Sequence, residues 1–152
     1  MTSVTLRSEY DEQLIGVAGK TPLLSWAVSS APSGAVQTAY RLQASSTSQF
    51  STILAEISTE SRESQFIGAP AGELSSREVR WYRVEVTLGD GSTFWSQPIS
   101  VEAGLLIAQD WVAQPITDGS ATNSAPALFR TEFELHSRPI KARVYATGHG
   151  NF

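Results

Sequence analysis

Apolar and polar residues alternate with a period of two along most of the first hundred positions. Leu24, Trp26 and Val28 interleave with Ser25, Ala27 and Ser29; Tyr40, Leu42 and Ala44 interleave with Arg41, Gln43 and Ser45. The longest such run sets Tyr82, Val84, Val86 and Leu88 against Arg83, Glu85 and Thr87. Period two puts one set of side chains on a core face and the other in water, the signature of half-buried strands. Shorter runs at 4–7, 53–57, 64–67 and 99–101 extend the pattern. Turn-forming clusters separate them at 31–34, 68–72 and 89–92, and the last is short enough to close a hairpin. The one place with helical spacing is 46–54, where Phe50, Ile53 and Leu54 admit a single helical turn.

About seven short strands with regular turns predict an all-β protein built as two packed sheets. Trp26 lies mid-strand on an apolar face and Trp81 opens the longest strand, so both are expected in the core or at its seam. A buried tryptophan removes roughly 150–250 Å² from water, worth about 4–6 kcal/mol as an upper estimate.

After residue 101 the character of the chain changes. Positions 117–126, TDGSATNSAP, read as a loop or linker. Two further alternating runs follow, at 128–135 and 142–147. Two strands without a partner sheet do not bury an independent core. They are expected to pack on the sandwich, to pair with another chain as a homodimer, or to stay poorly ordered.

Composition narrows the function. The chain has 152 residues and a net charge of −4, with only two lysines, Lys20 and Lys141. Nucleic-acid binding requires clustered Lys and Arg, so no nucleic-acid partner is expected. Charged residues are 17 % and cysteine is absent, while 21 Ser and 13 Thr supply the polar surface. Disulfide scaffolds, Cys-type zinc sites and thiol nucleophiles are thereby excluded. No apolar run approaches the roughly 20 residues of a membrane span, and the first residues lack the apolar stretch of a signal peptide. A cytoplasmic protein with no membrane partner is the expectation.

The chemistry-bearing residues read mostly as structural. The carboxylate pairs Asp11 with Glu12, Glu60 with Glu63 and Glu132 with Glu134 fall in polar surroundings, without the apolar neighbours that would raise a pKa for acid duty. His136 and His149 stand alone, without the short ligand spacing of a metal site. Gly19-Lys20-Thr21 lacks the preceding glycine of a phosphate loop, and no Gly-x-Ser-x-Gly elbow is present. No catalytic residue, cofactor or metal site is therefore expected. Arg80 and Arg83 read as polar-face residues, able to stack on Trp81 or to pair with Glu78 and Glu85. Tyr10, Trp95 and Trp111 lie near turns or the domain seam and are the candidates for stacking on sugar rings.

An ordered set of stretches resembles the N-terminal region of bacterial α-L-rhamnosidases. It runs through PLLSW at 22–26, QTAYRL at 37–42, WYRVEV at 81–86, Trp95-Ser96, EAGLL at 102–106, Asp110-Trp111, FRTEF at 129–133 and ARVYATGHG at 142–150. The resemblance implies an immunoglobulin/fibronectin type III-like sandwich over 1–104 and a linker over 105–125. It implies the first strands of a jelly-roll-like accessory domain over 126–152. It also implies that the catalytic barrel lies beyond Phe152, so that this region is non-catalytic and partners downstream catalytic and accessory domains, with rhamnose-containing glycans as a further partner. The alternative reading is a free-standing fibronectin-like module that binds carbohydrate or protein.

Overall fold

The computed structural model describes residues 2–9, 14–17, 19–117, 119 and 128–147. The chain divides into two units, Met1–Ala113 and Gln114–Phe152. Among the described residues of the first unit, nine strands form two sheets. They are β1 (Ser3–Ser8), β2 (Leu14–Val17), β3 (Leu23–Ser29), β4 (Gln37–Ser45), β5 (Ile53–Thr59), β6 (Ile67–Gly68), β7 (Val79–Leu88), β8 (Thr93–Trp95) and β9 (Ile99–Ala103). The small sheet has the order β1-β3-β6 and the large one β2-β9-β7-β4-β5, with β8 also paired to β7. All pairs are antiparallel except β2 with β9.

The alternation in the sequence becomes the two faces of each sheet. On β7 the buried positions are Arg80, Tyr82, Val84, Val86 and Leu88, every second residue. The register sets Tyr40 opposite Val86, Leu42 opposite Val84 and Ala44 opposite Tyr82, which makes one continuous apolar face. Val4, Leu6, Leu24 and Trp26 meet it from the small sheet. Two sheets packed in this way give a core about 10 Å thick.

Trp26 joins the layers. Its ring lies edge-on to Tyr40, with centroids 4.8 Å apart. Its indole Nε1–H donates to Gln37 Oε1 at 2.8 Å. The Gln37 amide in turn donates to the carbonyls of Ser61 and Glu63, each at 2.9 Å. The Trp26 backbone N–H donates to Ser64 O at 2.8 Å. One tryptophan and one glutamine thus tie β3, β4 and the strap between β5 and β6, and the buried indole N–H has its acceptor.

Arg80 does the equivalent at the other end. It is buried, and its five N–H groups make five bonds: Nε and Nη2 donate to Glu78 Oε1, Nη1 to the carbonyls of Ala71 and Gly72, and Nη2 to the carbonyl of Glu73. The expectation of a polar-face arginine is corrected here. The guanidinium fork matches a turn whose Ala71 and Gly72 both have positive φ, and a fully paired arginine tolerates burial. Beside it, burial pushes the Tyr82 hydroxyl above the ordinary tyrosine range, with Arg80 partly offsetting the rise.

Three other sequence expectations change. No helical turn forms at 46–54. The Ser45 hydroxyl donates to Thr52 O and accepts from Thr47 N–H, and Phe50 takes a φ of +55°, so side chains capture backbone groups that a helix would need. The run at 64–67 is a ladder only at Ile67–Gly68, because Phe66 has a φ of +54° and interrupts the extended chain. A short strand, β2, joins the sheet in addition, while β8 supplies the second arm of the hairpin at 89–92. Where β2 meets β9 the backbones approach so closely that a Cβ on Gly104 would stand 3.1 Å from Gly16 O.

In the second unit, residues 128–147 carry no strand, and Leu128, Phe133 and Ile140 are exposed. Alternation alone does not make a strand; a neighbouring ladder must take its N–H and C=O groups.

Trp26→Ala is expected to cost about 3–5 kcal/mol, read as a fall in the urea midpoint at unchanged m-value. The Tyr82 shift gives a pH effect of defined sign. Below about pH 10 both states keep the proton and stability is unaffected. Above it the unfolded chain releases the proton first, so stability falls as pH rises toward the folded pKa. Urea titrations at pH 8 and 10.5 should show a steeper loss for the wild type than for Tyr82→Phe.

Candidate functional site

The outward residues of the large sheet come together by register. Arg41 on β4 stands opposite Glu85 on β7, Gln43 opposite Arg83, and Glu85 in turn opposite Trp95 on β8. Phe50, from the β4–β5 loop, closes the array. These positions are polar in the sequence pattern because they alternate with core residues, but they are not simply solvated.

Arg83 Cζ lies 4.3 Å from the centroids of both the Phe50 and the Trp95 rings. Arg41 Cζ lies 5.0 Å from the Trp95 centroid. Nε of Arg83 donates to Gln43 Oε1 at 2.8 Å, and the Gln43 amide donates to Glu56 Oε2. Arg41 Nη2 pairs with Glu85 Oε2 at 2.7 Å. The outcome is a stack of two rings and two guanidiniums, laced by one amide and two carboxylates across four strands. Each cation–π contact of this kind is worth about 0.5–2 kcal/mol.

Of the sequence-chosen sugar-stacking residues, Trp95 is 36 % exposed and carries the two arginines. Trp111 is 39 % exposed and follows the 3₁₀ turn Ala108–Asp110, which Arg77 Nη2 ties down through Asp110 O. Tyr10 lies outside the described residues. Among the described residues no ring contact joins Trp95 to Trp111; the one ring pair is Trp26 with Tyr40. Arg83 stacks on Phe50 and Trp95 rather than on Trp81, and Glu85 takes Arg41 as its partner. The stack was not legible in advance because Phe50 and Trp95 are distant in sequence, and only strand order brings them to one arginine.

The acids are dispersed. Glu60 and Glu63 are exposed on the strap after β5. Glu132 and Glu134 are exposed in the second unit, where Glu132 pairs with Arg130. Asp11, Glu12 and His149 lie outside the described residues, and His136 is exposed. Among the described residues no group of three or more His, Asp or Glu is placed to hold a metal. No helix among them is long and apolar enough to cross a membrane. Lys20, of the Gly19-Lys20-Thr21 run, pairs with Glu73 at 3.3 Å, and the chain continues into β3 rather than a helix.

Arg83→Ala removes both ring contacts and the bond to Gln43. It is expected to lower stability by about 1–2 kcal/mol and to raise acrylamide quenching of Trp95 in a background where the other three tryptophans are phenylalanine.

Residues 3–107 match the family described as the Rha78A-like, N-terminal immunoglobulin domain. Among solved structures, the chain is similar to an α-L-rhamnosidase of Streptomyces avermitilis complexed with L-rhamnose. The identity is 28 % and the TM-score 0.69, over 74 % of this chain and 12 % of that one. It shares its fold with the α-L-rhamnosidase from Dictyoglumus thermophilum, with 24 % identity and a TM-score of 0.61 over 71 % of this chain and 13 % of that one. The chain thus spans about an eighth of the length of these structures. No curated protein matches its sequence. The match covers the whole two-sheet sandwich, and the chain belongs to the family of Rha78A-like N-terminal immunoglobulin domains.

Proposed function

We propose that this chain is the non-catalytic N-terminal accessory region of an α-L-rhamnosidase-like glycoside hydrolase that releases terminal α-L-rhamnose with inversion. The family match over 3–107 carries this reading. The use made of the charged residues supports it. An inverting pair needs two carboxyl groups about 6.5–9.5 Å apart, with one held protonated by its surroundings. Here Glu78 neutralises Arg80, Glu85 neutralises Arg41, and Glu56 accepts from Gln43. These carboxylates serve the sandwich. The partners of the region are the catalytic and accessory domains of the same polypeptide, and its work is to brace them.

The test is a comparison on a chromogenic α-L-rhamnoside. The isolated chain is expected to release no chromophore above the blank, while the polypeptide from the complete reading frame releases it. Turnover by the isolated chain, or none by the complete polypeptide, would refute the proposal.

A further inference from the structure

The outer face of the small sheet is built differently from that of the large one. On β1 the outward residues include Thr5 and Arg7; on β3 they are Ser25 and Ala27, paired in register as Thr5 with Ala27 and Arg7 with Ser25. Beyond Leu23, exposed at its start, the middle strand presents only the small side chains of Ser25 and Ala27 to the trough. β1 rises on one flank and the segment ending in Phe66 on the other. The product is a trough of about 410 Å³ lined by Thr5, Arg7, Glu9, Ser25, Ala27 and Phe66. That volume falls within the range of small-molecule sites.

Phe66 is the feature that calls for explanation. The residue is 55 % exposed, more than either Trp95 or Trp111. Its φ is +54°, a conformation that bulky side chains rarely adopt and that costs free energy. The strain is locked in place: Phe66 N–H donates to the Ser25 hydroxyl at 2.9 Å, on the trough floor. Glu9 at the other end also has a positive φ, of +53°, and its N–H donates to Leu23 O at 2.7 Å. Two strained residues thus hold an aromatic face and a carboxylate at a polar trough. Core packing does not require this, since the Phe66 ring is outside the core.

We propose that this trough binds a pyranose sugar, with the ring of Phe66 as the stacking platform. One face of a pyranose is rich in C–H groups and lies flat on an aromatic ring. Its vicinal hydroxyls are matched by the acceptors of a carboxylate, supplied here by Glu9, with Thr5 as a further hydroxyl partner. The carboxylate disfavours an anionic ligand such as phosphate, and a lining that mixes polar and apolar groups suits a ligand with both, as a pyranose has. The open shape predicts weak, millimolar binding. The inference deepens the glycan partner of the accessory reading, but it stands on the trough's own geometry and does not need the parent polypeptide to hydrolyse anything.

Amide chemical-shift titration of the whole chain with methyl α-L-rhamnopyranoside, methyl α-D-glucopyranoside and methyl β-D-galactopyranoside tests it. Saturable shifts are expected at positions 5–9, 25–27 and 65–67 with at least one probe. Affinity should fall at least ten-fold in Phe66→Ala and at least five-fold in Phe66→Leu, which keeps apolar bulk without a π face. The remaining amide spectrum of each variant reports that the fold is intact, and wild-type mapping with Phe66→Leu decides the matter if Phe66→Ala does not fold. Absence of saturable shifts with all three sugars overturns the proposal. So do shifts centred on Trp95 or Trp111, or undiminished affinity in Phe66→Leu. None of these outcomes depends on the rhamnoside assay, so the site can fail while the accessory role stands.

Discussion

A tryptophan that must be buried cannot leave its indole N–H behind. That requirement organises the sandwich. Trp26 supplies the largest apolar surface of the small sheet, and its one polar atom faces the large sheet, where Gln37 accepts it. Gln37 then has two amide protons to place, and the carbonyls of Ser61 and Glu63 receive them. The strap from β5 to β6 is therefore held where it crosses between layers. Hydrophobic area drives the sheets together without direction; these bonds give them one relative placement, because an unpaired polar group at this depth costs more than a bond gains.

The same economy of satisfied polar groups explains why the charged residues of this chain are structural. With charged residues scarce, most of those described in the sandwich have a defined partner. Arg80 commits every donor to one turn and one carboxylate. Arg83 and Arg41 lie over aromatic rings and bond to Gln43 and Glu85. These bonds and ring contacts fix the side chains of this sheet face relative to one another. The small sheet contrasts with it in relief. Its middle strand offers Ser25 and Ala27, and its relief comes from backbone strain at Glu9 and Phe66.

Several parts of this architecture were readable in the sequence, and the reasons are local. The run at 82–88 alternates without a break, so its two faces follow from periodicity. The hairpin at 89–92 was readable for the same reason: Asp90 accepts from Ser92 N–H at 2.9 Å, and Gly91 takes a φ of +84°. β8 follows from that hairpin as its second arm, though only three residues long; β2, four residues long and interrupted, was not readable. Arg80 looked like a polar-face residue because it is charged and the alternation breaks at Trp81-Tyr82; its place on the core face is licensed by a turn seven to nine positions earlier in the chain.

Phe66 marks the limit most clearly. In sequence it sits within an alternating run and reads as one more strand residue. In the fold its backbone turns left-handed and its ring leaves the core. By itself the sequence determined the all-β class, the core-facing residues of the long strands and the family to which the chain is similar, since all three are carried by residue types at short, regular spacing. Which arginine meets which ring, which glutamine caps the tryptophan, and which aromatic is left facing a trough were decided only by tertiary structure. Those contacts join residues from different strands, and strand order and register, not local pattern, bring them within bonding distance.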